Sequence, residues 1–262
     1  MFFQTNFFMA RTNHSFIGPI GDFSFYTYNG ENHVRTKGGA SKKTIANSPS
    51  CAAIAQSNVE FGGASQIGAL LRRAIGPKLK YFADTHMIGN LVGVLKKMIQ
   101  SESGVPGQRI LDLGAYAGLL EGFEINTNRP FYSCFSSDLN IHVSEQCDAA
   151  LLKVRFCKAT DVLAPTGATS FQILHTLLCV PRYGLCTVMK KYIALDSELT
   201  YAHASSAMLF TDLSVPVNLK LLVKLPSAAA EHSTLLCVVG IAFYKGTELI
   251  KWVCGMGVVR VV

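Results

Sequence analysis

The chain has 262 residues, of which 49% are hydrophobic and 16% are charged, and its formal net charge is +7. This composition excludes a disordered chain, because enough apolar side chains are present to fill a core. The longest apolar run, residues 235–244, is only about half as long as a membrane-spanning helix requires, so we expect no membrane span.

The first 17 residues are predicted to be an N-terminal extension. They lack the basic segment, the long apolar run and the small-residue cleavage site of a secretory signal, so we expect no cleavable signal peptide. Met1 and Met9 are alternative starts. We expect the protein in the cytoplasm or in an assembled extracellular or virion-like particle.

The first predicted element is a β-hairpin. The aromatic residues Phe23 and Phe25 alternate with others along one strand, as a half-buried strand requires. Asn29-Gly30 follows, and this dipeptide favours a two-residue hairpin turn because both positions need a positive φ. Residues 33–37 are predicted to return as the second strand.

Basic residues concentrate at one end of the hairpin and in the linker after it, namely Arg35, Lys37, Lys42 and Lys43. Two interpretations stay open. The segment is either an ordinary edge hairpin or an arm that docks on a neighbouring subunit or on an anionic partner. The residues we expect to make assembly or anion contacts are Phe23, Phe25, Tyr26, Asn29, Gly30, Arg35, Lys37, Lys42, Lys43, Arg72 and Arg73.

Two helical stretches are predicted next, over residues 50–75 and 84–100, because apolar positions recur there at spacings of three, four and seven. Gly62-Gly63 interrupts the first stretch and leaves open its division into two helices. We expect the helices to cover a sheet and their basic side chains to form a solvated face. These side chains are Arg72, Arg73, Lys78, Lys80, Lys96 and Lys97.

The positive charge is concentrated in the first part of the chain. Residues 1–109 contain 12 Lys and Arg against 5 Asp and Glu, whereas the remainder contains 12 of each. A basic segment of this kind suits nucleic acid, an acidic protein surface or solubility alone.

After a linker at residues 101–108, helical periodicity disappears and short apolar runs alternate with turn signals. Many short strands spaced in this way are typical of a β-sandwich. The predicted strands are residues 131–135, 139–143, 151–156, 171–178, 185–193, 217–225, 235–244, 249–254 and 258–262, with 235–244 central and turning at Gly246 into an antiparallel neighbour.

The predicted fold class is therefore α+β. It comprises the extension (1–17), a hairpin and helical region (18–108) and an antiparallel β-sandwich similar to immunoglobulin or fibronectin domains (109–262).

Motifs that carry chemistry are weak in this sequence. Arg109–Gly118 resembles the first motif of S-adenosylmethionine-dependent methyltransferases at Asp112, Gly114 and Gly118, but Tyr116 stands where that motif needs glycine. We expect a loop there. The seven histidines are dispersed, and the eight cysteines form no CxxC pair and suit a reducing compartment. We expect no catalytic site, no cofactor and no metal.

The chain resembles an uncharacterised protein family of Bacteroidota whose members are about 250 residues long. The matching segments are Met9–Arg11, Gly18–Tyr26, Val34–Gly39, Glu60–Ser65, Leu70–Arg72 and Leu120–Asn126. This resemblance implies a shape and no reaction.

From these observations we expect a non-enzymatic structural protein that assembles with copies of itself into a filament, tube or virion-like particle. The contacts would be the hairpin arm and the sandwich surfaces. The alternative is a nucleic-acid-binding protein that uses the basic N-terminal region, with Tyr26 and Tyr28 as stacking groups.

Overall fold

The computed structural model describes residues 10–11, 16–213, 215–251 and 253–262. Within these residues the fold is mixed, with three α-helices and mostly antiparallel sheets. The chain divides into two compact units after Ala52. Most of the predicted N-terminal extension lies outside the described residues.

The first unit is a four-stranded antiparallel sheet followed by a short helix. Its elements are β1 (Ala10–Arg11), β2 (Gly18–Ile20), β3 (Phe23–Tyr28), β4 (Glu31–Thr36) and α1 (Lys42–Asn47). The predicted hairpin is confirmed as β3 and β4, and Asn29 and Gly30 have φ values of 51° and 79° in the turn. The strand order is β1-β4-β3-β2, so the hairpin forms the inner pair of strands.

The second unit begins with two helices, α2 (Ala52–Ile75) and α3 (Met87–Ser101), as the apolar periodicity predicts. Gly62-Gly63 does not divide α2, which continues through both glycines. The reason is tertiary packing, because Gly63 is buried against the ring of Tyr192, which is distant in the sequence. The segment between the helices contains a 3-10 turn at Pro77–Tyr81.

The rest of the second unit consists of strands. They are β5 (Leu139–Val143), β6 (Ala149–Phe156), β7 (Ser170–Val180), β8 (Tyr183–Cys186), β9 (Lys191–Ala194), β10 (Thr200–Ser205), β11 (Leu209–Phe210), β12 (Val217–Lys224), β13 (Thr234–Lys245), β14 (Glu248–Leu249) and β15 (Gly255–Val261). One sheet has the order β10-β7-β13-β14, with β15 also on β13, and a second has the order β12-β6-β5. The hairpin β8–β9 forms a separate pair.

Strands β7 and β13 are buried on both faces, which explains their continuous apolar sequences. Alternate residues such as Leu178 and Leu236 pack with Ile67 and Leu95 of the helices. The intervening residues, such as Leu177, pack with the β5–β6–β12 sheet. The second unit therefore has a helical layer, a central sheet and an outer sheet, with an apolar core on each side of the central sheet.

Two of the predicted strands are wrong in detail. The run 131–135 contains a 3-10 turn at Phe131–Ser133, which brings the rings of Phe131 and Phe135 within 4.8 Å of each other. Residues four apart in a strand are separated by about 13 Å, so only a turn allows this contact. The run 185–193 is two strands, β8 and β9, and Lys190 has a φ of 51° in the turn between them.

The predicted strand 249–254 also differs from the structure, whereas residues 258–261 of the predicted strand 258–262 belong to β15. The antiparallel neighbour of β13 after Gly246 is confirmed as β14, but β14 ends at Leu249, and residues 250, 251, 253 and 254 are not in a strand. Residue 252 lies outside the described part of the chain.

Candidate binding surfaces

The sheet of the first unit presents two chemically different faces. Because residues paired across antiparallel strands lie on the same face, the register places Phe23, Phe25, Val34 and Ile20 together. The ring of Phe16 meets that of Phe25 edge-on at 5.9 Å. We call Phe16, Ile20, Phe23, Phe25 and Val34 the apolar face.

The opposite face combines aromatic and charged groups. Tyr26 and His33 are paired across the strands, and their rings stack at 5.6 Å. The Arg35 guanidinium lies 5.7 Å from the centre of the Tyr26 ring, within the range of a cation–π contact. Tyr28, which meets His33 edge-on, completes this set. We call Tyr26, Tyr28, His33 and Arg35 the aromatic face.

The first unit buries very little of its own surface. None of residues 16–50 is buried, and the apolar face exposes about half of Phe23 (48%) and Ile20 (56%). A single sheet layer with an apolar face gains stability only when a second layer covers that face. Within the described residues, no strand pairs with the outer edge of β2.

The lysines near the hairpin have different environments. Lys37 is part of the fold, because its Nζ donates to the Gly21 carbonyl at 2.7 Å and its backbone N–H donates to the Asp22 carbonyl at 2.6 Å. Lys42 and Lys43 lie on α1, where both are exposed. Lys37 therefore contacts the β2–β3 turn, whereas Lys42 and Lys43 are exposed on α1.

Arg72 and Arg73 lie in the second unit, where they line a cleft of about 730 Å³. The cleft lies between the last turn of α2, the 3-10 turn at Pro77–Tyr81 and the start of α3. We call it the basic cleft, and its lining consists of Ala69, Arg72, Arg73, Gly76, Pro77, Leu79, Lys80, Ala83, Asp84, Met87 and Ile88.

The cations of the basic cleft have few partners within the protein. Among the ion pairs formed by described residues, none includes Arg72, Arg73 or Lys80. The Nη1 atom of Arg72 is buried and has no hydrogen-bond partner, and the Nε of Arg73 reaches only the Ala69 carbonyl at 3.4 Å. A guanidinium group normally satisfies its donors when it is withdrawn from water, so the Arg72 Nη1 atom is unusual, whereas Arg73 and Lys80 are exposed to solvent.

The single carboxylate of the cleft is engaged elsewhere. Asp84 accepts hydrogen bonds from the N–H and hydroxyl of Thr127 at 2.8 and 2.7 Å and from the His86 N–H at 2.9 Å. Partial burial raises the pKa of this carboxyl, but these hydrogen bonds outweigh burial and hold its pKa below the ordinary value. Asp84 therefore stays ionised and fixes the start of α3.

A second, smaller hollow of about 250 Å³ lies on the other side of Gly76 and Pro77. The Nδ1 of His203 and the hydroxyl of Thr176 are 2.9 Å apart on its wall, which also includes Lys78. Burial, followed by the positive charge of Lys78, lowers the pKa of His203. The neutral imidazole is therefore favoured there.

The motif at residues 109–118 does not form the strand, turn and helix that a methyltransferase motif requires. Leu111 makes a single β-bridge with Tyr183, and a 3-10 turn at Ala117–Leu119 follows. The side chain of Tyr116, where that motif has glycine, packs against the core on the helical side. This segment is a connection between the helices and the sheets.

The buried carboxylates have structural partners. Glu60 is 2% exposed and accepts hydrogen bonds from the Gly107 N–H at 2.8 Å and from Arg109 Nη1 at 3.4 Å. Glu124 accepts from the Phe131 N–H at 2.8 Å, and burial raises its pKa. Across the described residues, no group of three or more His, Cys, Asp or Glu side chains is placed to hold a metal ion.

Comparison with known proteins gives no relative from which a function can be transferred. No protein-family model, no curated protein sequence and no solved structure matches this chain. In the part of the chain that the structure describes, no helix is both long and apolar enough to cross a membrane.

Proposed function

We propose that this protein is a non-enzymatic structural subunit that assembles with copies of itself into a filament, tube or virion-like particle. One observation supports the proposal above all others. The N-terminal sheet has an apolar face, but none of residues 16–50 is buried. Covering this face with part of another copy removes Phe23 and its neighbours from water, and burial of one such side chain contributes about 1.5–3 kcal/mol.

The second unit offers an apolar projection that suits this role. The turn between β8 and β9 exposes Val188 and Met189, and Val188 is 89% exposed. Apolar side chains at the tip of a hairpin are poorly solvated and are available to a neighbouring copy. A contact between the apolar face of one copy and this tip of the next is heterologous, so it extends into rings or open polymers.

The body of the subunit is the pair of antiparallel sheets in the second unit. For this body we propose the sandwich topology of immunoglobulin or fibronectin domains, which the strand spacing favours. The core between the two sheets and the core between the central sheet and the helices make this body rigid.

Substitution of the apolar face tests the proposal. We expect the double variant Phe23→Thr/Phe25→Thr to weaken assembly by about a hundredfold in the dissociation constant, because two ring contacts are lost. Threonine keeps the β-strand preference, so the hairpin should persist. Val188→Ser/Met189→Ser should also weaken assembly. The measurement is sedimentation velocity over a range of protein concentrations.

Tyr28→Thr is the matched control, since Tyr28 is on the same strand but belongs to the aromatic face. It should assemble like the wild type. The proposal is wrong if the Phe23/Phe25 variant assembles as readily as the wild type while circular dichroism shows both proteins folded.

The second candidate function is nucleic-acid binding, and the aromatic face favours it. Tyr26, Tyr28 and Arg35 share one sheet face, and aromatic and guanidinium groups on a sheet are a common platform for stacking bases. Here Tyr28→Thr should weaken the binding of a fluorescent oligothymidine, whereas Phe23→Thr/Phe25→Thr should not. Affinity that is independent of salt concentration would exclude this function.

A further inference from the structure

The basic cleft of the second unit combines an apolar floor with a cationic rim. Leu79 and Met87 are buried at its base, whereas Arg73 and Lys80 are exposed. Its volume of about 730 Å³ is in the range of small-molecule sites, which are mainly apolar with a few polar groups that orient the ligand. The cleft therefore suits a ligand with an apolar body and an anionic head.

The charges of the cleft indicate the kind of anion. Arg72, Arg73 and Lys80 carry three positive charges, and Asp84 carries one negative charge that is held by Thr127 and His86. The remaining charge is twice positive, which matches a phosphate monoester in its dianionic form. Guanidinium groups bind phosphate oxygens through charge-assisted hydrogen bonds and are preferred where that geometry matters.

The start of α3 forms one wall of the cleft, where Met87 and Ile88 line it. Its first N–H groups are already paired, because the Asp84 carboxylate accepts hydrogen bonds from the backbone of His86 and Met87. The groups available to an anion in the cleft are therefore the side-chain cations.

A purely structural role explains only part of this arrangement. Basic residues near the end of α2 stabilise the helix dipole, which accounts for Arg72 and Arg73 on α2 itself. It does not account for Lys80 on the facing turn, where its Nζ lies 5.0 Å from the centre of the Tyr81 ring.

We propose that the basic cleft binds a small phosphate monoester with an apolar body. The phosphate lies against Arg72, Arg73 and Lys80, and the body lies on Leu79, Ala83 and Met87. Every residue of the site belongs to the second unit.

Isothermal titration calorimetry with phenyl phosphate tests the proposal on the full-length protein. Phenyl phosphate should bind about tenfold more tightly than inorganic phosphate, because phosphate alone lacks the apolar contact. Phenol, which lacks the anionic head, should not bind measurably. Absence of phenyl phosphate binding to the folded wild type would refute the proposal.

Variants locate the site. Arg73→Gln/Lys80→Gln should weaken phenyl phosphate binding at least about tenfold, since two charge-assisted contacts are lost. Lys97→Gln, an exposed lysine on α3 that does not line the cleft, should leave it unchanged. Ala83→Leu fills the part of the cleft that holds the apolar body of the ligand. This variant should therefore abolish the preference for phenyl phosphate over inorganic phosphate.

Two further results would overturn the assignment of the site to the basic cleft. One is equal binding of phenyl phosphate to Arg73→Gln/Lys80→Gln and to the wild type, with both proteins folded by circular dichroism. The other is binding of a ten-residue oligothymidine that is tighter than that of phenyl phosphate and is weakened by Arg73→Gln/Lys80→Gln, which would assign the cleft to a polyanion instead.

Discussion

Replacing Gly63 by alanine is expected to destabilise the second unit by about 3 kcal/mol, near the upper end of the usual cost of overpacking. A Cβ at this position would lie 2.4–2.8 Å from three carbons of the Tyr192 ring. The ring cannot move away easily, because its hydroxyl donates to the Arg109 carbonyl at 2.8 Å and the Tyr192 carbonyl accepts from Gln66 at 2.7 Å. Thermal and urea unfolding measure the effect.

The neighbouring glycine provides a control with the opposite sign. A Cβ on Gly62 would have no heavy atom within 4 Å, and alanine is a better helix former than glycine. Gly62→Ala should therefore stabilise the protein by about 0.5–1 kcal/mol. A Gly63→Ala protein at least as stable as the wild type would show that α2 does not pack on Tyr192 in this way.

The second large effect concerns the buried His175 on β7. Its side chain is 0% exposed and lies between the two sheets, beside Ala204 and Val239 on the adjacent strands. Burial lowers its pKa from 6.5 to about 4, and the nearby Leu221 backbone opposes this only in part. Neither ring nitrogen has a partner that meets hydrogen-bond geometry.

This lowered pKa makes folding dependent on pH. The unfolded chain protonates His175 below about pH 6.5, whereas the folded protein resists protonation until about pH 4. The unfolded state therefore binds more protons between these values, so the free energy of unfolding decreases as the pH falls from 6.5 to 4. The loss is on the order of 3 kcal/mol.

Other groups contribute outside this interval or less strongly. His203, whose pKa is also lowered by burial and by Lys78, changes stability in the same direction. The pKa of Asp161 is lowered by a hydrogen bond from the Cys157 N–H, and that of Asp196 by the Arg182 side chain. These two carboxylates lose their stabilising contacts only at lower pH.

Comparison of variants isolates the contribution of His175. In His175→Leu, urea unfolding at a series of pH values should show most of the decrease between pH 6.5 and 4 removed, because leucine cannot be protonated. His142→Gln, an exposed histidine on β5, should retain the decrease. An equal pH dependence in His175→Leu and the wild type would show that His175 is not the group responsible.

Local sequence signals predict those parts of the fold that depend on neighbouring residues. Asn29-Gly30 marks the hairpin because its requirement for positive φ is intrinsic to the dipeptide. Residues 235–244 are recognisable as a central strand because β13 is covered on both faces and is apolar throughout. The periodicity of α2 and α3 likewise reflects a single buried face on each helix.

Errors arise where distant contacts decide the local conformation. Phe131 lies in a turn because its ring packs on Phe135, and Phe135 packs in turn on Phe156 from β6. Gly63 stays helical because Tyr192, more than a hundred residues later, fills the space beside it. Neither contact leaves a signal in the surrounding sequence.

In the candidate sites, too, neighbouring residues can be predicted from the sequence, but contacts between distant residues cannot. The alternation along the first strand predicts that Phe23 and Phe25 lie on one face and Tyr26 on the other, but only the register places Arg35 of the second strand on the face of Tyr26. The sequence also predicts that the basic residues of α2 and the following turn form a solvated face. The apolar floor and the carboxylate of Asp84, which make this face a cleft, require the tertiary arrangement of α2 and α3.

The mass of the unmodified protein as a function of its concentration tests the central claim most directly. Light scattering coupled to size exclusion, with negative-stain microscopy of the same fractions, should show a mass that rises above the 28.4 kDa of one chain as concentration increases, together with regular particles. A mass of 28.4 kDa at every concentration, with no particles, would contradict self-assembly through the N-terminal sheet.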